Sequence, residues 1–335
     1  MLTNSSILPP ASLRRLRLQQ FGGWLFVFGI TAAFIVVAGL FASGLTLPFR
    51  MEGLTRQPTT MLALFTAAAL AALLATTGLA LFLGVPGTDP LLARRGFDSP
   101  ITVLACLAAV GVIGNLLPLP LFFSPEMVDS MRQSTQVGTP PRLPVGVVIV
   151  ALIATQIGLM SVLVWRIVRP GVITWDAMGL NTEHLGRRIV QGLVGGVSIF
   201  LGAGAVGLAL RQLGIEQTQS EMFAGMANVS TAQFIGLFLA ASIVAPICEE
   251  CFFRGYVFAA LRGRYGRLLA YGGSAFVFGV IHFNLPAMVP IILMALGLAF
   301  LYDRSGSVVP GIIAHGFNNA LALLALYVVV NQGRM

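Results

Sequence analysis

Long uncharged segments recur along the whole chain, and they limit what it can fold into. Residues 18–49, 57–88, 143–165, 222–248 and 268–302 contain no Asp, Glu, Lys or Arg. Of all 335 residues, 57% are hydrophobic and only 10% are charged, whereas a soluble domain is about 25% charged. Such a chain cannot cover its own surface with polar groups, so a lipid bilayer must surround much of it.

The apolar segments predict transmembrane helices, each of which needs about 20 apolar residues. We expect an all-α fold, a polytopic integral membrane helix bundle of about eight to nine transmembrane helices. The uncharged segment that starts at Gly22 is too long for a cleaved signal peptide, whose apolar core has about 7–15 residues, and we interpret it as a retained first helix. The nine candidate spans lie near residues 22–47, 60–85, 101–123, 145–168, 189–210, 232–256, 268–285, 287–302 and 308–330.

The distribution of arginine predicts the orientation of the bundle. All 20 basic residues are arginine. With the N-terminus in the cytoplasm, 13 of them fall in inside segments, 6 fall outside and Arg254 lies within a span, which agrees with the positive-inside rule. We therefore expect a bacterial cytoplasmic (inner) membrane protein with a cytoplasmic N-terminus. The lipid bilayer is one of its expected partners.

The net charge of +8 does not by itself indicate a nucleic-acid partner. The chain has no clustered basic tail and no aromatic residues interleaved with basic ones, so no nucleic acid is expected. A loose boundary near residue 170 separates an N-terminal transmembrane region, residues 1–170, to which no role is assigned, from residues 171–335. The candidate functional residues predicted below from the sequence all lie within residues 171–335.

Three charges interrupt the apolar sequence at Cys248–Gly255, which reads CEECFFRG. A charge near the centre of the bilayer costs about 2.5–3.5 kcal/mol. Glu250 and Arg254 are four residues apart on a helix and can form an ion pair. Glu249 is rotated by about 100° from Glu250 and needs another neighbour. Two structural interpretations of these charges remain open. They could form a polar cluster that holds helices together, or they could mark a helix end that reaches the cytoplasmic headgroups.

Two of the three histidines also lie in apolar spans. His282 follows Phe278 by four residues, so the phenyl ring is expected to form an apolar shelf for it. His315 precedes Asn319 by four residues, which places both on one side of a helix. Each histidine on its own is typical of an interhelical hydrogen bond, and His184 is expected to be solvated in a loop.

Together these groups are sufficient to hydrolyse an amide. A buried carboxylate can accept a proton from water, and a histidine can orient that proton. An imidazole and a carboxamide can donate hydrogen bonds to the developing oxyanion. Neither a serine nor a cysteine nucleophile is required.

Three sequence motifs resemble those of a known family. Glu249–Arg254 is similar to EExxxR, Phe278–His282 to FxxxH and His315–Asn319 to HxxxN/D, in the order and on the separate helices that are typical of the CPBP (CAAX protease and bacteriocin-processing, Abi) membrane proteins. This family includes the type II CAAX prenyl endopeptidases. The resemblance covers residues 233–330 and implies a CAAX-protease-like catalytic transmembrane domain within residues 171–335.

The resemblance also implies a role for each matching residue. Glu249 would activate the attacking water with His282 beside it, Glu250 and Arg254 would pair and position the site, and His315 with Asn319 would hold the oxyanion. Glu249, His282 and His315 could in principle ligate zinc. Because the chain lacks an H-E-x-x-H motif, we favour a metal-free glutamate mechanism without a cofactor.

The expected function is that of an intramembrane endopeptidase acting on a membrane-associated substrate, either a prenylated CAAX-like protein or a bacteriocin-type peptide. One alternative is a catalytically silent bacteriocin-immunity or scaffold protein of the same fold, and another is a transporter that uses the buried charges. Cys248 and Cys251 form a C-x-x-C pair, but thiols in an apolar span are usually inert.

Overall fold

The structure is a computed structural model of the chain. It describes residues 10–42, 67, 70–71, 74–75, 77–79, 81–82, 97–116, 118, 120–121, 124–125, 127, 129–130, 144–181, 183–214, 229–282 and 285–332. All regular structure in these residues is helical and none of them forms a strand, so the predicted all-α class is confirmed.

Eight helices carry the architecture of the described residues. Five of them, α3, α4, α5, α7 and α8, include stretches that are long and apolar enough to cross a membrane, and α2 and α6 are shorter and apolar. These helices make the chain an integral membrane protein. Their bounds are α1 Pro10–Ala42, α2 Pro100–Leu116, α3 Val145–Val168, α4 Leu185–Gln212, α5 Thr231–Tyr265, α6 Arg267–Val280, α7 Leu285–Ser305 and α8 Val309–Gln332.

Four predicted spans, near 145–168, 189–210, 287–302 and 308–330, coincide with α3, α4, α7 and α8. The span predicted near 60–85 lies mostly outside the described residues, as do the ends of those near 22–47 and 101–123. The total of eight to nine transmembrane helices therefore stays a prediction for the whole chain.

Two π-helical segments, Ala240–Val244 and Phe253–Phe258, interrupt α5 without ending it. Pro246 accounts for the first, because proline lacks the N–H that would bond a carbonyl one turn earlier and its ring crowds that turn. A wider π turn relieves the crowding and lets the helix continue. The predicted end of this span near residue 256 is therefore wrong, since α5 runs on to Tyr265.

Gly266 alone separates α5 from α6, with φ of 82°, a conformation that favours glycine. Asp303 of α7 then joins the three helices at this end. Its carboxylate accepts a hydrogen bond from Arg267 Nε (2.6 Å) and one from the Tyr271 hydroxyl (3.1 Å). The same carboxylate lies 2.5 Å from Arg262 Nη1. The hydrogen bond to Asp303 raises the pKa of Arg267, so this cation persists at any physiological pH.

The chain divides into two compact units. The first comprises residues 1–109 and 165–172, and the second comprises residues 110–164 and 173–335. In the first unit, α1 packs so closely against the chain at Ala75 that a side chain at Gly29 would clash with the backbone of Ala75. In the second unit, α8 packs against α4, α5 and α7. Most of α3 belongs to this second unit, although it precedes the boundary expected near residue 170.

Candidate active site

The ion pair predicted within α5 forms in the interior of the second unit. Arg254 Nη1 donates to Glu250 Oε1 at 2.8 Å, and both side chains are buried. Arg254 Nη2 donates to the carbonyl oxygen of Ala295 in α7 at 3.1 Å. The guanidinium also lies over the ring of Phe278, 4.7 Å from its centroid. Arg254 therefore holds α5, α6 and α7 together besides neutralising Glu250.

His315 of α8 lies between the two glutamates of α5. Its Nδ1 is 3.1 Å from Glu250 Oε1, and its Nε2 is 3.8 Å from Glu249 Oε2. An ionised carboxylate that is paired with an arginine only accepts hydrogen bonds, so Nδ1 of His315 carries a proton. Both ring nitrogens thus face carboxylates. The role at the oxyanion that the family resemblance implied for His315 stays a prediction.

The two glutamates differ in their access to the surroundings. The side chain of Glu249 is 13% exposed, whereas that of Glu250 is fully buried. The separation of 3.8 Å between Glu249 Oε2 and His315 Nε2 is too long for a direct hydrogen bond. It is a separation that a water molecule can bridge. Glu249, the more exposed of the two, is the glutamate for which the sequence predicts no partner on its own helix.

Gln156 of α3 is the partner of Glu249 that the sequence analysis missed. Its Nε2 donates to Glu249 Oε1 at 3.2 Å, and the residue is 2% exposed. Its Oε1 is buried and has no hydrogen-bond partner in the described structure. A single side-chain amide in a mostly apolar helix was the only signal in the sequence. That signal does not show that the amide of Gln156 would contact Glu249, which lies 93 positions away in the chain.

Phe278 of the FxxxH motif lies at the centre of the aromatic contacts around the site. Its ring centroid is 4.8 Å from that of His282 and 5.8 Å from that of His315. The apolar shelf expected for His282 is therefore confirmed. Phe253 of α5 packs against the same ring edge-to-face at 5.0 Å. One buried phenyl ring thus fixes groups from three helices.

His282 lies beyond the end of α6 at Val280, and its side chain is exposed. The expectation that it lies inside an apolar span reaching residue 285 is wrong, because α6 ends five residues earlier. Nδ1 of His282 is 2.6 Å from the carbonyl oxygen of Phe278. Because a carbonyl oxygen only accepts, Nδ1 carries the proton, and Nε2 of the neutral ring is available as an acceptor.

Asn319 connects α8 to the first π segment of α5. Its Nδ2 donates to the carbonyl oxygen of Ala241 at 2.8 Å. In a π turn, this carbonyl oxygen would accept a hydrogen bond from the backbone N–H of residue 246. That residue is Pro246, which has no N–H to donate. Asn319 therefore satisfies a partly buried acceptor that the proline leaves open. The neighbouring Asn318 faces the other way and donates to the carbonyl oxygens of Gly196 and Ala314.

Two glycines of α8 permit this close approach to α5. A Cβ atom at Gly311 would lie 2.7 Å from Glu250 Oε2, an oxygen that is buried without a hydrogen-bond partner. A Cβ atom at Gly316 would lie 2.5 Å from the carbonyl oxygen of Ser242. Small residues at both positions thus let the motif helices pack closely.

The zinc set considered from the sequence does not form a metal site in this structure. Across the residues that the structure describes, no group of three or more His, Cys, Asp or Glu side chains is arranged to hold a metal ion. The mechanism proposed below therefore assigns no step to a metal.

Comparisons with known proteins support the resemblance over the motif region. Residues 231–321 match the family model described as "Type II CAAX prenyl endopeptidase Rce1-like". Over 88 residues the chain is 32% identical to "Putative membrane peptidase YdiL" of Bacillus subtilis (strain 168). That alignment covers 26% of this chain and 36% of the relative, so the chain spans about a third of the length of the curated relative. No solved structure matches the chain significantly.

The matched segment starts with α5 and ends in α8. It contains both glutamates, Arg254, His282, His315 and Asn319, while Gln156 lies outside it. Residues 231–321 are therefore similar to the type II CAAX prenyl endopeptidase family, as the three motifs indicated.

Proposed function

We propose that this protein is an intramembrane endopeptidase that hydrolyses a peptide bond of a membrane-associated substrate with glutamate-activated water. One observation carries the proposal. A partly exposed carboxylate, Glu249, faces Nε2 of His315 across 3.8 Å, and the opposite nitrogen of the same ring is fixed by the buried carboxylate of Glu250.

This arrangement suits a water molecule between Glu249 and His315. With Nδ1 protonated, Nε2 of His315 is an acceptor, and Glu249 Oε2 is a second acceptor. Water bound there would donate one hydrogen to each and direct its oxygen lone pairs toward a substrate carbonyl carbon. As the C–O bond forms, Glu249 takes the proton of the water and later delivers it to the leaving amine.

Glu250 and Arg254 support this chemistry without touching the substrate. Glu250 holds the proton on Nδ1 of His315 and so keeps Nε2 as an acceptor, which parallels the role of a buried carboxylate behind a catalytic histidine. Arg254 pairs directly with Glu250 and holds its carboxylate in place. For the oxyanion, we assign a supporting role to the second N–H of the Asn319 amide, since the first is bonded to Ala241.

The substrate is proposed to be a membrane-associated peptide of one of two chemical classes. One is a prenylated CAAX-type protein and the other is a bacteriocin-type peptide. The type II CAAX prenyl endopeptidase family match favours the first class.

The test is cleavage by the purified protein in proteoliposomes. A farnesylated peptide with a C-terminal CAAX sequence and a bacteriocin-type leader peptide serve as substrates, with products identified by mass spectrometry. We expect Glu249→Gln to abolish cleavage, because the amide keeps the size of the side chain but accepts no proton at neutral pH. Glu183→Gln, at an exposed loop position, is the matched control and should cleave normally.

Two outcomes contradict the proposal. Substantial cleavage by Glu249→Gln would exclude the glutamate mechanism. Absence of cleavage by the wild-type protein, together with uptake of a solute that depends on Glu249, would favour the transporter alternative instead.

A further inference from the structure

The second unit contains a groove remote from the glutamates, between α4 and α7. The groove has a volume of about 880 Å³. None of its lining residues belongs to the candidate active site. Its walls are largely aliphatic or glycine, including Val194, Val206, Leu293 and Gly297, and only Gln191, Ser198 and Arg304 are polar.

The two helices run antiparallel along the groove. A Cβ atom at Gly195 would lie 2.7 Å from Leu301, and one at Gly297 would lie 2.7 Å from Ile199. This register places Gln191 beside the C-terminal end of α7, where Arg304 lies. The groove is therefore polar at one end and apolar along the rest of its length, which is the distribution of an amphiphile.

The cation at the polar end has no acidic partner among the described side chains. Asp303, the adjacent acid, is already bound by Arg262 and Arg267. Arg304 instead contacts the ring of Phe300, which lines the groove, at 5.9 Å. Arg187 is exposed at the same end of α4. The polar end thus carries a guanidinium, that of Arg304, which no described acidic side chain pairs with.

The groove opens toward the bilayer and has the length of a lipid chain. Only 6% of the apolar stretch of α4 is buried inside the protein. Leu293 to Arg304 spans about 17 Å of helix, close to the roughly 15 Å depth of one leaflet. A peptide is a poor occupant, because nothing along the apolar walls would satisfy its backbone N–H and C=O groups.

We propose that this groove is a binding site for one anionic glycerophospholipid. One acyl chain lies between α4 and α7, and the phosphate contacts Arg304, with Gln191 bonding the glycerol region. Basic pockets between transmembrane helices commonly bind anionic headgroups. This site is separate from the proposed proteolysis and does not depend on it.

The experiment is native mass spectrometry of the detergent-solubilised full-length protein, titrated with dioleoylphosphatidylglycerol or dioleoylphosphatidylcholine. We expect the wild-type protein to bind the anionic lipid more tightly. Arg304→Gln should weaken that binding about fivefold and remove the preference, since a basic residue near the membrane surface contributes about that factor. Arg211→Gln, at the opposite end of α4, is the control and should bind like the wild type.

A second pair of variants tests the groove itself. A side chain added at Gly202 enters open space inside the groove, so Gly202→Leu should fold and should displace both lipids. Gly204→Leu also enters open space but lies outside the groove lining, and it should leave binding unchanged.

Three results would overturn the proposal. The first is equal affinity for the two lipids in the wild type. The second is unchanged binding in Gly202→Leu. The third is displacement of the lipid by oleate or by a farnesylated peptide at equal concentration, which would assign the groove to a carboxylate amphiphile or to substrate. Cleavage activity enters none of these measurements.

Discussion

At the scale of single residues, the two adjacent glutamates have opposite surroundings. Glu250 is enclosed by Arg254, His315 and the backbone of Gly311. Glu249 is partly exposed and meets the amide of Gln156. Helical geometry separates them, because consecutive residues point about 100° apart. One carboxylate is therefore enclosed by its partners, and the other is partly open to its surroundings.

Loss of the cation should be costly, because Arg254→Ala strands the buried charge of Glu250. We expect a loss of about 3–5 kcal/mol of stability, seen as a lower thermal midpoint in detergent. Adding Glu250→Gln removes the unpaired charge and should restore part of that loss. Arg211→Ala, at an exposed helix end, should change little. A double variant no more stable than Arg254→Ala would contradict the coupling.

Gln156 is expected to position Glu249. Gln156→Leu removes the amide that donates to Glu249 Oε1 but keeps a similar volume. A hydrogen bond to a charged group is worth about 1.5–3 kcal/mol, so kcat should fall about tenfold or more while KM stays constant. Thr155→Val, at the adjacent exposed position, is the control. A change in KM or in folding yield alone would indicate a purely structural role for Gln156.

At the scale of secondary structure elements, α5 is shaped by a proline that does not break it. Pro246 leaves a carbonyl unsatisfied, and Asn319 of α8 donates to the carbonyl oxygen of Ala241 in the same π segment. The second π segment begins at Phe253, three residues after Glu250. Such segments are frequent at functional sites because they reorient side chains within a continuous helix.

The contact between α5 and α8 depends on Gly311. In Gly311→Ala, the added methyl group would lie 2.7 Å from Glu250 Oε2. The carboxylate must then move away from Arg254 and His315. Overpacking of this kind costs about 1–3 kcal/mol, and cleavage should fall with stability. Measurement of both quantities, alongside Gly272→Ala in open space on α6, tests this. Equal behaviour of the two alanine variants would contradict it.

At the scale of the whole molecule, the candidate site lies well below the arginine-rich end of the second unit. Arg254 bonds α7 at Ala295, about 12 Å along the helix from Asp303. Because the hydrocarbon core is about 30 Å thick, the buried charges lie near its middle if Asp303 marks the interface. From the arginine distribution, the positive-inside rule predicts that this end faces the cytoplasm.

This orientation can be tested at the two ends of α4. Glu183 precedes the helix and Leu213 follows it, and both are exposed. In a background without Cys106, Cys248 and Cys251, we expect Leu213→Cys to react with a membrane-impermeant thiol reagent in intact cells. Glu183→Cys should react only after permeabilisation. The reverse pattern would invert the bundle and direct the arginine-rich end outward.

Local spacing explains what the sequence determined without a structure. The pairing of Glu250 with Arg254 and the shelf of Phe278 under His282 both follow from a four-residue separation within or next to one helix. The apolar segments likewise determine that the chain is helical and crosses a membrane, because no other element satisfies its backbone in lipid so simply.

Only the tertiary structure decided which helices meet, and in which rotation. Nearly every face of these helices is apolar, so hydrophobic periodicity does not say which side turns inward. The position of His315 between two carboxylates, the contact of Gln156 with Glu249, and the location of His282 beyond α6 all depend on that rotation and on helix ends. Close packing at glycines and the few buried hydrogen bonds fix them, since apolar contacts alone do not distinguish one arrangement from another.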